Sequence, residues 1–168
     1  MNEEATATDV MDQLAGLTAG SPLAELRRQR PDVVRHLQGS DNAIFAPRDD
    51  GGLSRAERAA AALQVATILC DATLQRHYRT RLNRLDPGKT PEPNPPAVTD
   101  RWSAIRTHVE RVTTDPESAR KADIDDLLTA GLSPHAVVSL SQLIAYVNFQ
   151  SRVLAGLRML RDPNEQEP

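Results

Sequence analysis

The sequence predicts an all-α, single-domain helical bundle. Three observations carry this: apolar residues recur at spacings of three and four, glycine and proline fall between the periodic segments, and runs of alternating β-branched residues are absent. At 168 residues the chain is long enough for one core that buries about two-thirds of the unfolded surface, without staples. The expected domain covers residues 9–161, with disordered ends at 1–8 and 162–168.

Asp9 to Ala15 reads as a short helix stopped by Gly16. Ser21 and Pro22 supply an N-cap and a first-turn proline for Leu23 to Gln29. Pro31 starts a third segment with Val33, Val34, Leu37 and Ile44 facing inward and an interruption expected near Gly39. RDDGGLS, residues 48–54, is a turn, and Ser54 with Glu57 then forms a capping box for a long helix toward Leu85. Its apolar stripe is Ala59, Leu63, Ala66, Cys70, Leu74, His77 or Tyr78, and Leu82; Asp71 is also able to cap a second helix, which would place a break near Cys70. Five prolines between Pro87 and Pro96 make residues 86–98 an extended connection. Helix resumes at Asp100 with Trp102, Ile105, Val109 and Val112 on one face, and TTDPES ends it. Asp123 is expected to cap a short helix closing at Gly131. Ser133 and Pro134 open PHAVVSLSQLIAYVNFQSRVLAGLRML, apolar nearly all round and therefore expected between other helices or in a subunit interface.

Composition excludes several function classes. Twenty lysines and arginines against 23 acids give a net charge of −3, which points to no nucleic-acid partner. The segment DLLTAGLSPHAVVSL resembles a helix-turn-helix, but Leu127 fills a place that motif gives to a small residue, and no lysine or arginine occurs from Ala122 to Ser151. Ser139, Ser141, Gln142, Asn148, Gln150 and Arg152 interrupt every candidate membrane span. The acidic start MNEEATATDVMDQL is unlike a secretory leader, so a cytoplasmic location is expected. The four histidines stand apart from one another and from carboxylates at ligand spacing, so no metal is expected. Neither a phosphate loop nor a nucleophile elbow is present, and no cofactor is expected.

Chemistry concentrates in ILCDATLQRHYRTRLNR, residues 68–84. It holds the chain's single cysteine, Cys70, which cannot close an intrachain disulfide. On a continuous helix Cys70 and His77 share a face about 10 Å apart, and His77 meets Thr73. Cys70 then reads as a small buried hydrophobe, with a reactive thiol as the alternative if a helix begins at Asp71. Arg76, Arg79 and Asn83 lie on one side, as a solvated face or as an anion site. Asn148 and Arg152, four apart in the apolar helix, need partners and read as an interhelix network or the lining of a pocket.

GGLSRAERAAAALQVA, VTTDPESARKADIDDLLTAGLS and VVSLSQLIAYVNFQSRVLAGLRML together resemble the carboxymuconolactone decarboxylase and alkylhydroperoxidase D-like superfamily, in particular its peroxidase-related branch, over residues 50 to 160. The resemblance implies an alkylhydroperoxidase D-like helical bundle and a homo-oligomer, a trimer or hexamer, with the long apolar helix central. Active members use C-x-x-C-x-x-x-H with a glutamate twelve residues before the first cysteine. With Cys70 on the first cysteine, Thr73 takes the place of the second, His77 that of the histidine and Arg58 that of the glutamate. One residue later, the four places fall on Ala59, Asp71, Leu74 and Tyr78. Neither register keeps the two sulfurs that peroxide reduction through a disulfide needs.

Three functions are therefore expected in turn: a peroxidase-related protein with a degenerate redox site whose remaining function is small-ligand binding, a partner role beside an active homologue or another activity; a one-cysteine antioxidant using Cys70 and His77; and a non-catalytic oligomer. A small-acid lyase would instead draw on Asp71, His77, His108 and Arg152. Candidate site residues are Cys70 and His77 for catalysis and Asp71, Thr73, Tyr78, Asn148 and Arg152 for binding.

Overall fold

The computed structural model describes residues 9–85 and 100–161, and among these every regular element is helical. The expectations for 1–8, 86–98 and 162–168 fall outside the described residues. Short-range capping sets most boundaries. Asp9 accepts from the Asp12 amide at 2.8 Å to open α1, Val10–Ala15, and Gly16 closes it at φ +63°, where a side chain would be strained. Ser21 caps α2, Pro22–Arg28, whose Arg27 reaches back to Asp9 at 3.0 Å and to Asp12.

α3, Pro31–Phe45, is continuous through Gly39, contrary to the expected interruption. One glycine on an exposed helix face costs about 1 kcal/mol, too little to break a helix held by its flanking turns. Val33 is also exposed and not inward. It lies in the first turn, while Leu37, Ile44 and Phe45 further along pack on the core.

The capping box forms as expected: Ser54 Oγ accepts from the Glu57 amide at 3.2 Å, and the Glu57 carboxylate accepts from the Ser54 amide at 2.8 Å. α4, Arg55–Ile68, does not run on to Leu85. The chain breaks at Cys70, the one non-glycine residue with positive φ among those described (+55°), and α5 spans Ala72–Leu85. Asp71 causes the break by accepting from the Thr73 and Leu74 amides at 3.1 Å each, which supplies α5 with its own N-terminus. Cys70 is therefore exposed at a turn, and its reading as a buried residue is corrected.

α6, Asp100–Thr114, buries Ile105 and Val109, and a 3₁₀ turn at Pro116–Ser118 leads to α7, Lys121–Thr129. Asp123 is in the first turn of α7 and is not its cap residue; its carboxylate accepts from the Arg120 amide at 2.8 Å and pairs with Arg111 of α6 at 3.0 Å. Ser133 caps α8, Pro134–Leu160. α8 touches α1, α3, α4, α6 and α7, with Leu140, Leu143, Ile144, Val147 and Leu154 fully buried. Burial is one-sided: Val138, Phe149 and Arg152 face outward. Arg101 locks three connections together, donating to Glu57 at 2.6 Å, to the Gly131 carbonyl at 2.7 Å and to the Gly52 carbonyl at 2.5 Å.

Candidate functional site

Two groups of residues meet on α5. The first is its N-terminal junction. Asp71 is buried, and its carboxylate takes both guanidinium nitrogens of Arg158 from α8 at 3.2 Å and the Ser151 hydroxyl at 3.4 Å. Burial raises its pKa, but the Arg158 hydrogen bonds and charge and the Leu74 and Thr73 amides outweigh this and hold the carboxyl below its ordinary value. Arg158 also donates to Thr73 Oγ1 at 3.0 Å, so the Thr73 hydroxyl serves the α5–α8 joint. Asp71 and Thr73 are thus occupied by structure, beside an exposed Cys70.

The second group lies one to two turns further on. A cleft of about 700 Å³ opens among α1, α3 and α5. Val10, Leu14, Phe45 and Leu85 give it apolar walls, and Arg55, Arg76, Arg81 and Arg84 give it four cations. Asp41 of α3 is 2 % exposed and pairs with Arg81 at 2.9 Å, while the Arg81 guanidinium lies 4.3 Å above the Phe45 ring. Among the described residues, Asp41 Oδ1, Arg81 Nη1 and His77 Nε2 are buried with no hydrogen-bond partner. Burial lowers the His77 pKa, the Arg81 charge adds to this, Asp41 opposes it and Arg84 adds a smaller push in the same direction. His77 is therefore a neutral imidazole near pH 7, able to accept or donate.

The expected residues divide accordingly. His77 and Thr73 line the cleft; Cys70 and Asp71 are not among its lining residues. Tyr78 is fully buried beside Phe45, ring centroids 5.2 Å apart, and donates to Gln150 of α8. Desolvation pushes the phenol pKa up, which fits a packing role. Asn148 and Arg152 form no joint network: Asn148 is buried and donates to the Ile144 carbonyl of its own helix at 3.0 Å, whereas Arg152 is exposed. Of the basic face expected, Arg76 lines the cleft, together with Thr73, His77, Arg81 and Arg84, whereas Arg79 and Asn83 do not. Asp41 and Phe45 were not legible as site residues because their partners on α5 are about forty positions away; the available signal was an acid four residues from both Leu37 and Phe45 on an apolar stripe.

Arg58 occupies the place that the Cys70-first register assigns to a glutamate. It is 3 % exposed and donates to the carbonyls of Leu53 at 2.9 Å and of Ile44 and Asp50 at 3.0 Å. The group is a cation committed to tying the end of α3 to the start of α4, and it has no carboxylate's capacity to relay a proton.

These features define an all-α bundle with a cationic cleft on α5 and a single exposed thiol at the preceding turn. The fold is similar to that of an uncharacterized peroxidase-related protein from Silicibacter sp. TM1040, with a TM-score of 0.67 and 15% sequence identity over 80% of this chain and 72% of that one. At that identity the likeness shows a shared fold. No protein-family model matches the sequence, and no curated protein matches it significantly.

Proposed function

We propose that the protein is a peroxidase-related, alkylhydroperoxidase D-like family member that has lost dithiol chemistry and binds a small hydroxylated organic acid in the α1–α3–α5 cleft. The observation that carries this reading is that Asp41, Arg81 and His77, whose Oδ1, Nη1 and Nε2 atoms are buried and unpartnered, line one cleft. A buried polar atom without a partner costs about 1–3 kcal/mol, so three in one place favour an occupant that supplies the missing bonds. Arg81 Nη1 asks for an acceptor, Asp41 Oδ1 for a donor, and neutral His77 takes either. Four arginines against one carboxylate select an anion, and the apolar walls suit a carbon skeleton. Exposed Val138, Phe149, Met159 and Leu160 on α8 support self-association, which sedimentation at several concentrations checks.

The test compares glycolate with acetate, which differ by the hydroxyl, by calorimetric titration of the wild type and of Arg81→Met. Glycolate should bind more tightly than acetate, and both should weaken in the variant. Equal binding of the two acids would remove the hydroxyl requirement, and no binding of either would overturn the proposal.

Exposure of Cys70 at the turn before α5 favours a second reading, one-cysteine hydroperoxide reduction. The thiolate would take the terminal oxygen of a hydroperoxide, releasing the alcohol and leaving a sulfenic acid; two equivalents of a small thiol would then restore Cys70, yielding their disulfide and water. Peroxide consumption that Cys70→Ala leaves unchanged rules this out.

A further inference from the structure

A second histidine, remote from the cleft, has the same unmet requirement. His108 of α6 is 5 % exposed, and neither ring nitrogen has a hydrogen-bond partner among the described residues. It lines a pocket of about 280 Å³ between α6 and α7, with Ser103, Thr107, Asp123 and Asp126. The pocket's charges are unequal in availability. Asp123 is already engaged by Arg111 at 3.0 Å and by the Arg120 amide at 2.8 Å, whereas the exposed Asp126 has no ion-pair partner among the described residues. Burial lowers the His108 pKa, opposed by Asp123 and assisted by Arg111, so the ring is neutral near pH 7 and presents one nitrogen lone pair.

We propose that the α6–α7 pocket is a binding site for a small organic ammonium group, which would donate to His108, the Asp126 carboxylate and the Thr107 hydroxyl. An ammonium offers three donors and one positive charge, and this pocket supplies three acceptors of which one is an uncompensated anion. An anion would face Asp126 and the engaged Asp123, with no lysine or arginine among the described residues that line the pocket. A metal ion is disfavoured by geometry, since no group of three or more His, Cys, Asp or Glu side chains among the described residues is placed to hold one. The site is independent of the α1–α3–α5 cleft, with which it shares no lining residue.

The experiment follows the ring nitrogen resonances of His108 in the full chain while methylammonium chloride is added, against sodium chloride at equal ionic strength. A saturable change specific to methylammonium is expected, weakened about tenfold in Asp126→Asn, where one charge-assisted hydrogen bond is lost. Asp126 is exposed, so this variant keeps the fold. Ring resonances that follow the sodium control, or equal affinity in Asp126→Asn, would overturn the proposal and leave the pocket to water.

Discussion

Replacing Arg58 with methionine keeps most of the side chain's volume and removes its donors. The wild-type guanidinium makes three hydrogen bonds of 2.9–3.0 Å to the Leu53, Ile44 and Asp50 carbonyls, all around the α3–α4 connection. Bonds from a charged donor contribute about 1.5–3 kcal/mol each, a gross value of roughly 5–9 kcal/mol. Against this stands the cost of burying the charge, several kcal/mol, which also lowers the guanidinium pKa despite the nearby Asp50 and Glu57. The net loss expected for Arg58→Met is about 3–4 kcal/mol, or a fall in Tm of about 6–16 °C for a chain of this size. Arg58→Lys should lose about half as much, because one ammonium cannot reach three carbonyls in a planar fork. Urea unfolding at fixed protomer concentration measures both, with the slope unchanged if the native fold persists. A loss below about 1 kcal/mol for Arg58→Met would refute the reasoning, since three carbonyls would then have found other partners.

Cys70→Gly should stabilise the protein by about 0.5–1 kcal/mol, because glycine relieves the left-handed backbone at φ +55°, while Cys70→Val should destabilise it; a glycine variant less stable than wild type contradicts this. Asp71→Ala should cost about 2 kcal/mol by removing both the α5 cap and the Arg158 contact, and Asp71→Asn about 1 kcal/mol because the cap survives; equal losses in denaturant melts would mean that capping carries no weight. The pKa values of His77 and His108 are lowered in the folded state, so their contribution to stability is present above the ordinary value of 6.5 and is lost as pH falls through their folded values. Asp71 and Glu57, also lowered, keep their contribution until the pH falls below their ordinary values of 3.8 and 4.5. Tm should therefore decline in two stages on acidification, and His77→Gln with His108→Gln should flatten the upper stage; an upper stage unchanged in that double variant assigns it to other groups.

What was legible in the sequence was local. Ser21, Ser54 and Ser133 all cap the helices assigned to them because a cap and its amide lie two or three residues apart, a range the sequence displays directly. The break at Cys70 was legible only as the alternative that an Asp71 cap would bring, for a related reason. The apolar stripe from Ala66 to Leu74 continues without a phase shift, and the Asp71 carboxylate that caps α5 also takes Arg158 of α8, 87 positions away, a contact the local pattern does not display. Periodicity reads straight through the turn and is blind to the left-handed residue at which α5 folds back to pack against α4.

The three polar residues that matter most interrupt apolar stripes at core spacing: Asp41 between Leu37 and Phe45, His108 between Ile105 and Val112, and Gln150 between Val147 and Leu154. A polar group at such a position is carried into the interior by its neighbours' burial, whatever its own preference, so the remaining question is what satisfies it. Gln150 is met by Tyr78 through its carbonyl oxygen while its amide nitrogen has no partner, and Asp41 is met through one carboxylate oxygen by Arg81 while Oδ1 has none. His108 is met by nothing among the described residues. Gln150 and Asp41 are thus each half-met, and His108 is wholly open. Residual demand, unlike motif register, places both candidate ligand sites mainly on residues with no part in the C-x-x-C-x-x-x-H pattern, Thr73 and His77 being the exceptions.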